Sequence, residues 1–235
     1  MFNKFNRYAY LFCISICNRK CYNCCNKFYM NKYKDLNYDF NKIKILDLSK
    51  YDNIFITGGE PGLLSKKDKD NLYNYLISNY STAQIELFTN GTNIDEWNNN
   101  LYKLIHLLEN NTEDENKKLL KYKENSSYTI VLTQNSNIDK ITNLVSLYKR
   151  ENCNINIKND SLNPLDIQVF NDILIQLGLT DIIQENKQVS RISNSNSLKI
   201  ETDTTCTDLP NYDNTLHRKM SIHKKCLCDW YNCLT

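Results

Sequence analysis

The stretch NIFITGGEPGLLSKKDKDNLYNYLISNY, residues 53–80, contains one complete unit of the predicted fold. Residues 53–57 are mostly β-branched or aromatic and run into a glycine-containing turn, which predicts a short buried strand. The remainder has apolar and aromatic side chains at helical spacing, which predicts an amphipathic helix. Its apolar face carries Leu72, Tyr75, Leu76 and Tyr80. A strand followed by a helix is the repeating half of a parallel βαβ connection.

The alternation of strand and helix recurs along most of the chain. Further short apolar runs bounded by turn residues predict strands at 8–16, 83–89, 128–133 and 154–158, with a weaker run within 188–192 or 197–201. Amphipathic stretches predict helices at 137–150 and 164–178, and His106 falls within another helical pattern. Five or six such units in succession predict an α/β fold with a parallel sheet and right-handed crossovers.

Composition and charge narrow the class of protein. The chain has 235 residues, with 29 basic and 27 acidic side chains and a net charge of +2, so no strong field favours nucleic acid or a membrane surface. No segment has enough continuous apolar residues to cross a bilayer. Residues 1–17 combine positive charge with an apolar run but lack the small-residue cleavage site of a signal peptide. We therefore expect a cytoplasmic protein whose thiols bind metal instead of forming disulfides.

Four of the ten cysteines lie in the run CNRKCYNCC, which begins at Cys17 and follows the first predicted strand. The spacing Cys17-x3-Cys21-x2-Cys24 offers three thiolates from one loop. Three thiolates can hold three irons of a [4Fe–4S] cluster and leave the fourth iron without a protein ligand. A structural zinc site uses four ligands. Cys13 or Cys25 could supply a fourth thiolate, so the loop alone leaves zinc open.

Glycine is scarce in this chain, and three of its five glycines fall within residues 58–62. They belong to ITGGEPG (56–62), which follows the second predicted strand, while FTNGT (88–92) follows the third. Glycine at such positions permits a tight turn or the close approach of a ligand. Since ligands of parallel sheets gather at the carboxyl ends of the strands, these turns and the cysteine loop are candidate site elements.

CxxxCxxC after a first strand and GGEP after a second, followed by TNGT after a third within a βα repeat, resemble the radical S-adenosylmethionine (radical SAM) enzymes. The resemblance covers roughly residues 8–160. It implies a partial (β/α)6 barrel of parallel strands, open on one side for substrate, over residues 1–202. It also implies a [4Fe–4S] cluster on Cys17, Cys21 and Cys24, with S-adenosylmethionine chelated at the open iron.

The same resemblance assigns contacts to S-adenosylmethionine. Its methionine amino group would meet the turn formed by Gly58, Gly59, Glu60 and Pro61, and a cationic amine suits the acceptors of this turn. The family usually carries an aromatic residue just before the third cysteine to cradle adenine, whereas here Asn23 stands there and Tyr22 precedes it. Candidates for ribose or carboxylate contacts follow from their position after the strands: Thr89, Asn90, Thr133, Gln134 and Lys158.

The chemistry implied by the resemblance is radical-based. A reduced cluster cleaves S-adenosylmethionine to methionine and a 5′-deoxyadenosyl radical, which abstracts hydrogen from the substrate. The cofactor performs this chemistry, while the protein orients the reactants and excludes water. A reducing partner such as flavodoxin or ferredoxin is implied as the source of the electron.

A second group of cysteines lies in a C-terminal extension formed by residues 203–235. Its members are Cys206, Cys226, Cys228 and Cys233. Four thiols this close in a cytoplasmic protein predict an auxiliary iron–sulfur cluster or a structural zinc ion. Similar tails are found in peptide-modifying members of the radical SAM family.

These features predict a radical SAM enzyme that acts on a peptide or protein, with a small molecule as the alternative substrate. The GGEP and TNGT pair also resembles 7-carboxy-7-deazaguanine synthase, and an activase that installs a glycyl radical is a third enzyme hypothesis. A hypothesis of another class is a non-catalytic zinc-binding module. Metal content separates the classes, since zinc leaves a protein colourless whereas iron with sulfide makes it brown. No nucleic-acid or membrane partner is expected.

Overall fold

The computed structural model describes residues 7–21, 24, 37–160 and 164–179. Within these residues the chain alternates between strands and helices. The strands are β1 (Tyr8–Ile14), β2 (Asn53–Gly58), β3 (Gln84–Thr89), β4 (Tyr102–His106), β5 (Ser126–Leu132) and β6 (Asn154–Asn159). The helices are α1 (Phe40–Lys44), α2 (Lys66–Asn79), α3 (Glu113–Leu120), α4 (Ile138–Arg150) and α5 (Ile167–Gln176). Short 3₁₀ turns lie at Pro61–Leu63, Ile94–Glu96 and Lys123–Asn125.

The strands of the described residues form one six-stranded sheet in which every neighbouring pair is parallel. Their order across the sheet, β1 to β6, is also their order along the chain. Such a sheet never reverses its winding direction, in contrast to doubly wound α/β sheets. Right-handed crossovers in a sheet of this order place the connecting helices on one face.

The buried side chains agree with a single layer of helices, which covers what we term the outer face of the sheet. The first core cluster joins outer-face residues of β1–β3 to α2, through Leu11, Ile56, Leu87, Leu72 and Leu76. The second joins β4–β6 to α3, α4 and α5, through Ile105, Tyr128, Ile130, Leu119, Tyr148 and Phe170. Along each strand these positions alternate with a second set that points away from the helices.

The opposite face, termed the inner face, changes in character across the sheet. On β1–β3 it is mainly aromatic, while on β4–β6 it is mainly polar. The strand register places these residues in rows, with Tyr10 beside Phe55, Phe55 beside Glu86, Glu86 beside Tyr102, and His106 beside Thr129. Exposure rises across the face, from buried Phe55 on β2 to exposed Lys158 on β6. Among the described residues, the inner face is therefore open on its β6 side.

Most elements predicted from the sequence within the described residues are confirmed. The strands predicted at 53–57, 83–89, 128–133 and 154–158 are present with small shifts at their ends, and β1 ends at Ile14 instead of residue 16. The helices predicted from residues 53–80 and 137–150 are α2 and α4, capped by the side chains of Ser65 and Asn137. The predicted helix at 164–178 is α5, which is capped by Asp166 and begins three residues after Pro164.

One strand is missing from the sequence prediction. Tyr102–His106 form β4, so the assignment of His106 to a helical pattern is wrong. The outer-face positions of this segment are all at most 1% exposed, at Leu101, Lys103, Ile105 and Leu107. Lys103 breaks the apolar alternation of this row. It is tolerated there because its Nζ donates to the carbonyl of Leu101 at 2.7 Å and to that of Asn98 at 3.2 Å.

Several sequence predictions concern residues outside the described ranges. They are the weak strand within 188–192 or 197–201, the division at residue 203, and the extension with Cys206, Cys226, Cys228 and Cys233. In the part of the chain that the structure describes, no helix is both long and apolar enough to cross a membrane.

Candidate functional site

The loop after β1 lies at the carboxyl edge of the sheet and carries Cys17 and Cys21. Both thiols, and that of Cys24, are partly buried. Cys13 differs, since it is buried on the outer face of β1 and its Sγ donates to the carbonyl of Leu11 at 3.4 Å. Burial raises the pKa of the Cys13 thiol. These contacts favour a core role for Cys13 over that of a fourth zinc ligand.

The first support of the cysteine loop is the GGEP turn after β2. The amide of Gly59 donates to the carbonyl of Ile14 at 2.5 Å, and the amide of Glu60 donates to the carbonyl of Ile16 at 2.8 Å. A Cβ atom on Gly59 would lie only 2.1 Å from the Ile16 oxygen. Because the two backbones touch, glycine at this position fixes the residue that precedes Cys17.

The other residues of the motif shape the same turn. Gly58 ends β2 with a φ of 133°, a backbone conformation that glycine adopts at little cost. Pro61 begins a 3₁₀ turn. A Cβ atom on Gly62 would lie 1.9 Å from the carbonyl oxygen of Thr92, so this glycine lets the GGEP turn contact the TNGT turn directly.

The second support is a closed ring of side-chain hydrogen bonds from the TNGT turn after β3. Asn90 Nδ2 donates to Asn18 Oδ1 at 3.1 Å, and Asn18 Nδ2 donates to Thr92 Oγ1 at 2.9 Å. Thr92 Oγ1 in turn donates to Asn90 Oδ1 at 2.7 Å. Asn90 Nδ2 also lies 3.8 Å from Cys17 Sγ, within hydrogen-bonding distance for sulfur. This ring binds the residues between the first two cysteines to the end of β3.

The third support is an ion pair to helix α3. Arg19 Nη2 lies 2.5 Å from Glu115 Oε1, with the arginine side chain 23% exposed. Glu115 also completes a capping box with Thr112 at the start of α3, in which each side chain accepts from the backbone amide of the other. The amide of Thr112 and the charge of Arg19 lower the pKa of Glu115. The cysteine loop is thus connected to α3, the helix that lies between β4 and β5 along the chain.

Glu60 lies at the centre of the two turns and is only 1% exposed. Its Oε1 accepts from the amide of Gly62 and the hydroxyl of Thr89, and its Oε2 accepts from the amide of Asn90, each at 2.7 Å. Burial raises the pKa of Glu60, while these hydrogen bonds and the charge of Lys69 oppose the shift. Donors of the described residues thus supply three of the about four hydrogen bonds that a carboxylate can accept.

The three thiols of the loop share one electrostatic environment. Burial raises the pKa of Cys17, and the charges of Glu60 and Cys24 raise it further. Burial, followed by Cys24 and Cys17, raises the pKa of Cys21 to about 11, against the opposing charge of Arg19. No three His, Cys, Asp or Glu side chains of the described ranges are grouped so as to hold a metal ion. Coordination to a metal centre removes thiol protons and so reverses these shifts.

A cavity of about 310 Å³ lies between the cysteine loop and the ends of β4 and β5. Its polar walls include Arg19, Lys20, Cys21, His106 and Thr133. Burial lowers the pKa of His106 to about 4, with the charge of Lys158 as the second cause. The imidazole is therefore neutral at pH 7 and offers both a donor and an acceptor. The size of the cavity is within the usual range for small-molecule sites.

The residues that the sequence suggested for ribose or carboxylate contacts lie in different environments. Thr89 is buried, and its hydroxyl is used to hold Glu60. Asn90 faces Cys17, as described above. Thr133 lines the cavity.

Two other predicted residues lie on the surface, and two lie beyond the described part. Gln134 is exposed in the loop after β5, and Lys158 is exposed on β6. Tyr22 and Asn23, the residues expected near adenine, are outside the described ranges.

No protein-family model matches the chain, and no curated protein matches it at a significant level. Three residues that hold the cysteine loop in place could not be recognised from the sequence: Asn18, Arg19 and Glu115. Each is an ordinary polar residue whose partner is 72 to 96 positions away. The capping pattern TEDE at 112–115 predicts a helix start, but it gives no indication that Glu115 binds a second residue.

Proposed function

We propose that this protein is a radical SAM enzyme that binds a [4Fe–4S] cluster through Cys17, Cys21 and Cys24. The observation that carries the proposal is the junction at the carboxyl edge of the sheet. There the cysteine loop, the GGEP turn and the TNGT turn are joined by direct hydrogen bonds. Ligands of parallel α/β sheets bind at this edge. The three motifs that resemble the family therefore form one structural unit.

The donor set of the loop fits such a cluster. Three partly buried thiols come from one segment, at the spacing that the family resemblance assigns to the cluster. Asn90 Nδ2 lies 3.8 Å from Cys17 Sγ, so it would act as an outer hydrogen-bond donor to this ligand of the cluster. When bound, the cluster supplies the electron that cleaves S-adenosylmethionine into methionine and a 5′-deoxyadenosyl radical.

Suitable groups for S-adenosylmethionine lie on either side of the cysteine loop. The carboxylate of Glu60 and the carbonyl groups of its turn are acceptors that suit the ammonium group. Arg19 and Lys20 offer positive charge for the carboxylate. The cavity beside Cys21 contributes the hydroxyl of Thr133 for the ribose.

The sheet is assigned to a partial (β/α)6 barrel, with the inner face as the substrate surface. Sequential strand order and one layer of helices are features of barrel folds. A peptide or protein is the preferred substrate class, since an inner face open on its β6 side admits a large molecule. Flavodoxin or ferredoxin in the cytoplasm would reduce the cluster. These assignments follow the family resemblance.

The alternative functions make different demands on the same residues. A 7-carboxy-7-deazaguanine synthase or a glycyl-radical activase would use the same cluster and differ in substrate. A zinc-binding module would need a fourth ligand beside the three cysteines. It would not need the GGEP turn, with its buried Glu60, to be hydrogen-bonded to the cysteine loop. The junction therefore favours the enzyme hypotheses over the zinc hypothesis.

The test is anaerobic reconstitution of the full chain with iron and sulfide, followed by an assay for 5′-deoxyadenosine with S-adenosylmethionine and dithionite. We expect a brown protein that forms 5′-deoxyadenosine only when dithionite is present, because the reductant supplies the electron through the cluster. A colourless protein that takes up zinc alone and forms no 5′-deoxyadenosine would overturn the proposal.

The Asn90→Ala variant is expected to have a lower cluster midpoint potential than the wild type. The amide donates toward Cys17 Sγ, and a donor of this kind stabilises the more negative, reduced cluster. Loss of about 1 kcal/mol of differential hydrogen bonding corresponds to a decrease of roughly 40 mV for a one-electron couple. The measurement is an anaerobic redox titration followed by electron paramagnetic resonance.

The matched control is Thr92→Val. It removes the hydroxyl that closes the Asn18–Asn90–Thr92 ring but keeps the Asn90 amide that faces Cys17. We expect its potential to stay near that of the wild type. An unchanged potential in Asn90→Ala, or the same decrease in both variants, would mean that the amide does not act on the cluster through Cys17.

A further inference from the structure

Glu86 is a buried carboxylate with no described partner. It lies on the inner face of β3 and is 8% exposed. In the part of the chain that the structure describes, its carboxylate takes part in no hydrogen bond or ion pair, and burial alone raises its pKa. Lys103 on the neighbouring strand is on the outer face, where it donates to backbone carbonyls. A buried carboxylate destabilises the fold unless a cation compensates its charge.

The surroundings of Glu86 are aromatic. Phe55 on β2 and Tyr102 on β4 are its direct neighbours in the strand register, and Phe88 is two residues along β3 on the same face. The ring centroids of Phe55 and Phe88 are 5.2 Å apart, and those of Tyr10 and Phe55 are 4.9 Å apart. We refer to Tyr10, Phe55, Phe88 and Tyr102 as the aromatic wall.

A carboxylate beside an aromatic wall selects for positive charge. The faces of aromatic rings carry negative electrostatic potential and attract ammonium and guanidinium groups. The carboxylate adds a charge-assisted hydrogen bond, which is stronger where water is excluded. An anionic group would be repelled by both features, and a neutral group would leave the carboxylate uncompensated. The combination therefore fits a cation.

We propose that Glu86 and the aromatic wall bind the ammonium or guanidinium group of a substrate side chain, of the lysine or arginine type. The inference rests on the proposed function, because it takes the inner face as the substrate surface. Glu86 lies three residues before the end of β3, about 10 Å from the carboxyl edge. If the aliphatic part of the substrate side chain entered from that edge, it would lie along the aromatic wall. The main chain of the substrate would then lie near the cysteine loop.

The test is a ligand-observed NMR titration of the full chain without cluster or S-adenosylmethionine. The probes are Nα-acetyl-lysine amide and Nα-acetyl-arginine amide, with Nα-acetyl-norleucine amide as the neutral probe of similar shape. We expect saturable binding of both cationic probes, at least tenfold tighter than that of the neutral probe. Glu86→Gln should weaken the cationic probes at least tenfold. Glu113→Gln, which removes the same charge from an exposed ion pair with Lys117, should leave their binding unchanged.

The stability of Glu86→Gln separates a ligand site from a structural role. Removing an uncompensated buried charge should raise the Tm of the unliganded protein, by about 2 °C or more. A carboxylate that served the fold would give a lower Tm on replacement. Phe88→Leu is the second variant, and we expect it to weaken the cationic probes at least threefold because it removes one ring of the wall.

Absence of cationic-probe binding, equal binding by wild type and Glu86→Gln, or equal binding of lysine and norleucine probes would overturn the inference. None of these measurements needs iron or S-adenosylmethionine, so failure of cluster reconstitution leaves them valid. Conversely, 5′-deoxyadenosine formation without cationic-probe binding would sustain the proposed function and remove only the substrate class.

Discussion

The Cys17/Cys21/Cys24→Ala variant is expected to form no 5′-deoxyadenosine above the level of a reaction without protein. Without the three thiolates no iron is held beside the GGEP turn, and no path remains for the electron from dithionite to S-adenosylmethionine. The variant should still fold, because all three side chains are only partly buried and belong to neither core cluster. The measurements are 5′-deoxyadenosine by chromatography, iron and sulfide content, and far-UV circular dichroism.

The matched control is the Cys13/Cys153→Ala variant, which also removes thiols from the described residues. Cys13 is buried on β1 and Cys153 packs against the second core cluster, so their loss should lower stability without changing iron content. Loss of metal from this control would revive the zinc hypothesis, in which Cys13 is a fourth ligand. Iron that remains in the triple variant would place a second cluster on Cys206, Cys226, Cys228 and Cys233.

Strands and helices with a regular pattern of burial could be predicted from the sequence. In β2 every residue is buried, and its short apolar run is bounded by turn residues on both sides. β4 could not be predicted because Lys103 occupies an outer-face position that is 0% exposed. The carbonyl groups that stabilise it there come from the turn before the strand, and a helical spacing of the nearby leucines competes with the alternation.

The motifs of the candidate site could be predicted from the sequence, but the contacts that hold the cysteine loop in place could not. The carboxyl ends of parallel strands share an edge, so CxxxCxxC, GGEP and TNGT could be expected to meet once the sheet was assigned. Glu60 accepts hydrogen bonds from three donors of its own chain, Gly62, Thr89 and Asn90, and its motif alone gives no indication of these contacts. The Arg19–Glu115 pair joins residues 96 positions apart, and nothing local in the sequence specifies such a contact.

Gly59→Ala is expected to strongly lower the rate of 5′-deoxyadenosine formation. A Cβ atom would lie 2.1 Å from the carbonyl oxygen of Ile16 and 2.5 Å from its carbon, and both atoms belong to backbone that cannot rotate away. The backbone at Ile16, in the loop after β1, must therefore move by roughly 1 Å, and with it Cys17. A displacement of this size at reacting groups typically costs about 100-fold in rate. We expect the rate of 5′-deoxyadenosine formation to fall by that factor or more, while the free energy of unfolding falls by only about 1–3 kcal/mol.

Gly178→Ala separates loss of stability from loss of the site. Gly178 follows α5 with a φ of 63°, and among the described residues a Cβ atom there would meet only Lys149 Nζ, at 3.7 Å. The substitution should cost about 1–2 kcal/mol of stability through backbone strain, similar to Gly59→Ala, but leave the rate of 5′-deoxyadenosine formation unchanged. The measurements are chemical denaturation and the product assay on both variants. If Gly59→Ala lost stability but kept its iron and its rate, the contact between the GGEP turn and the cysteine loop would serve folding alone, and the junction would no longer support the proposed function.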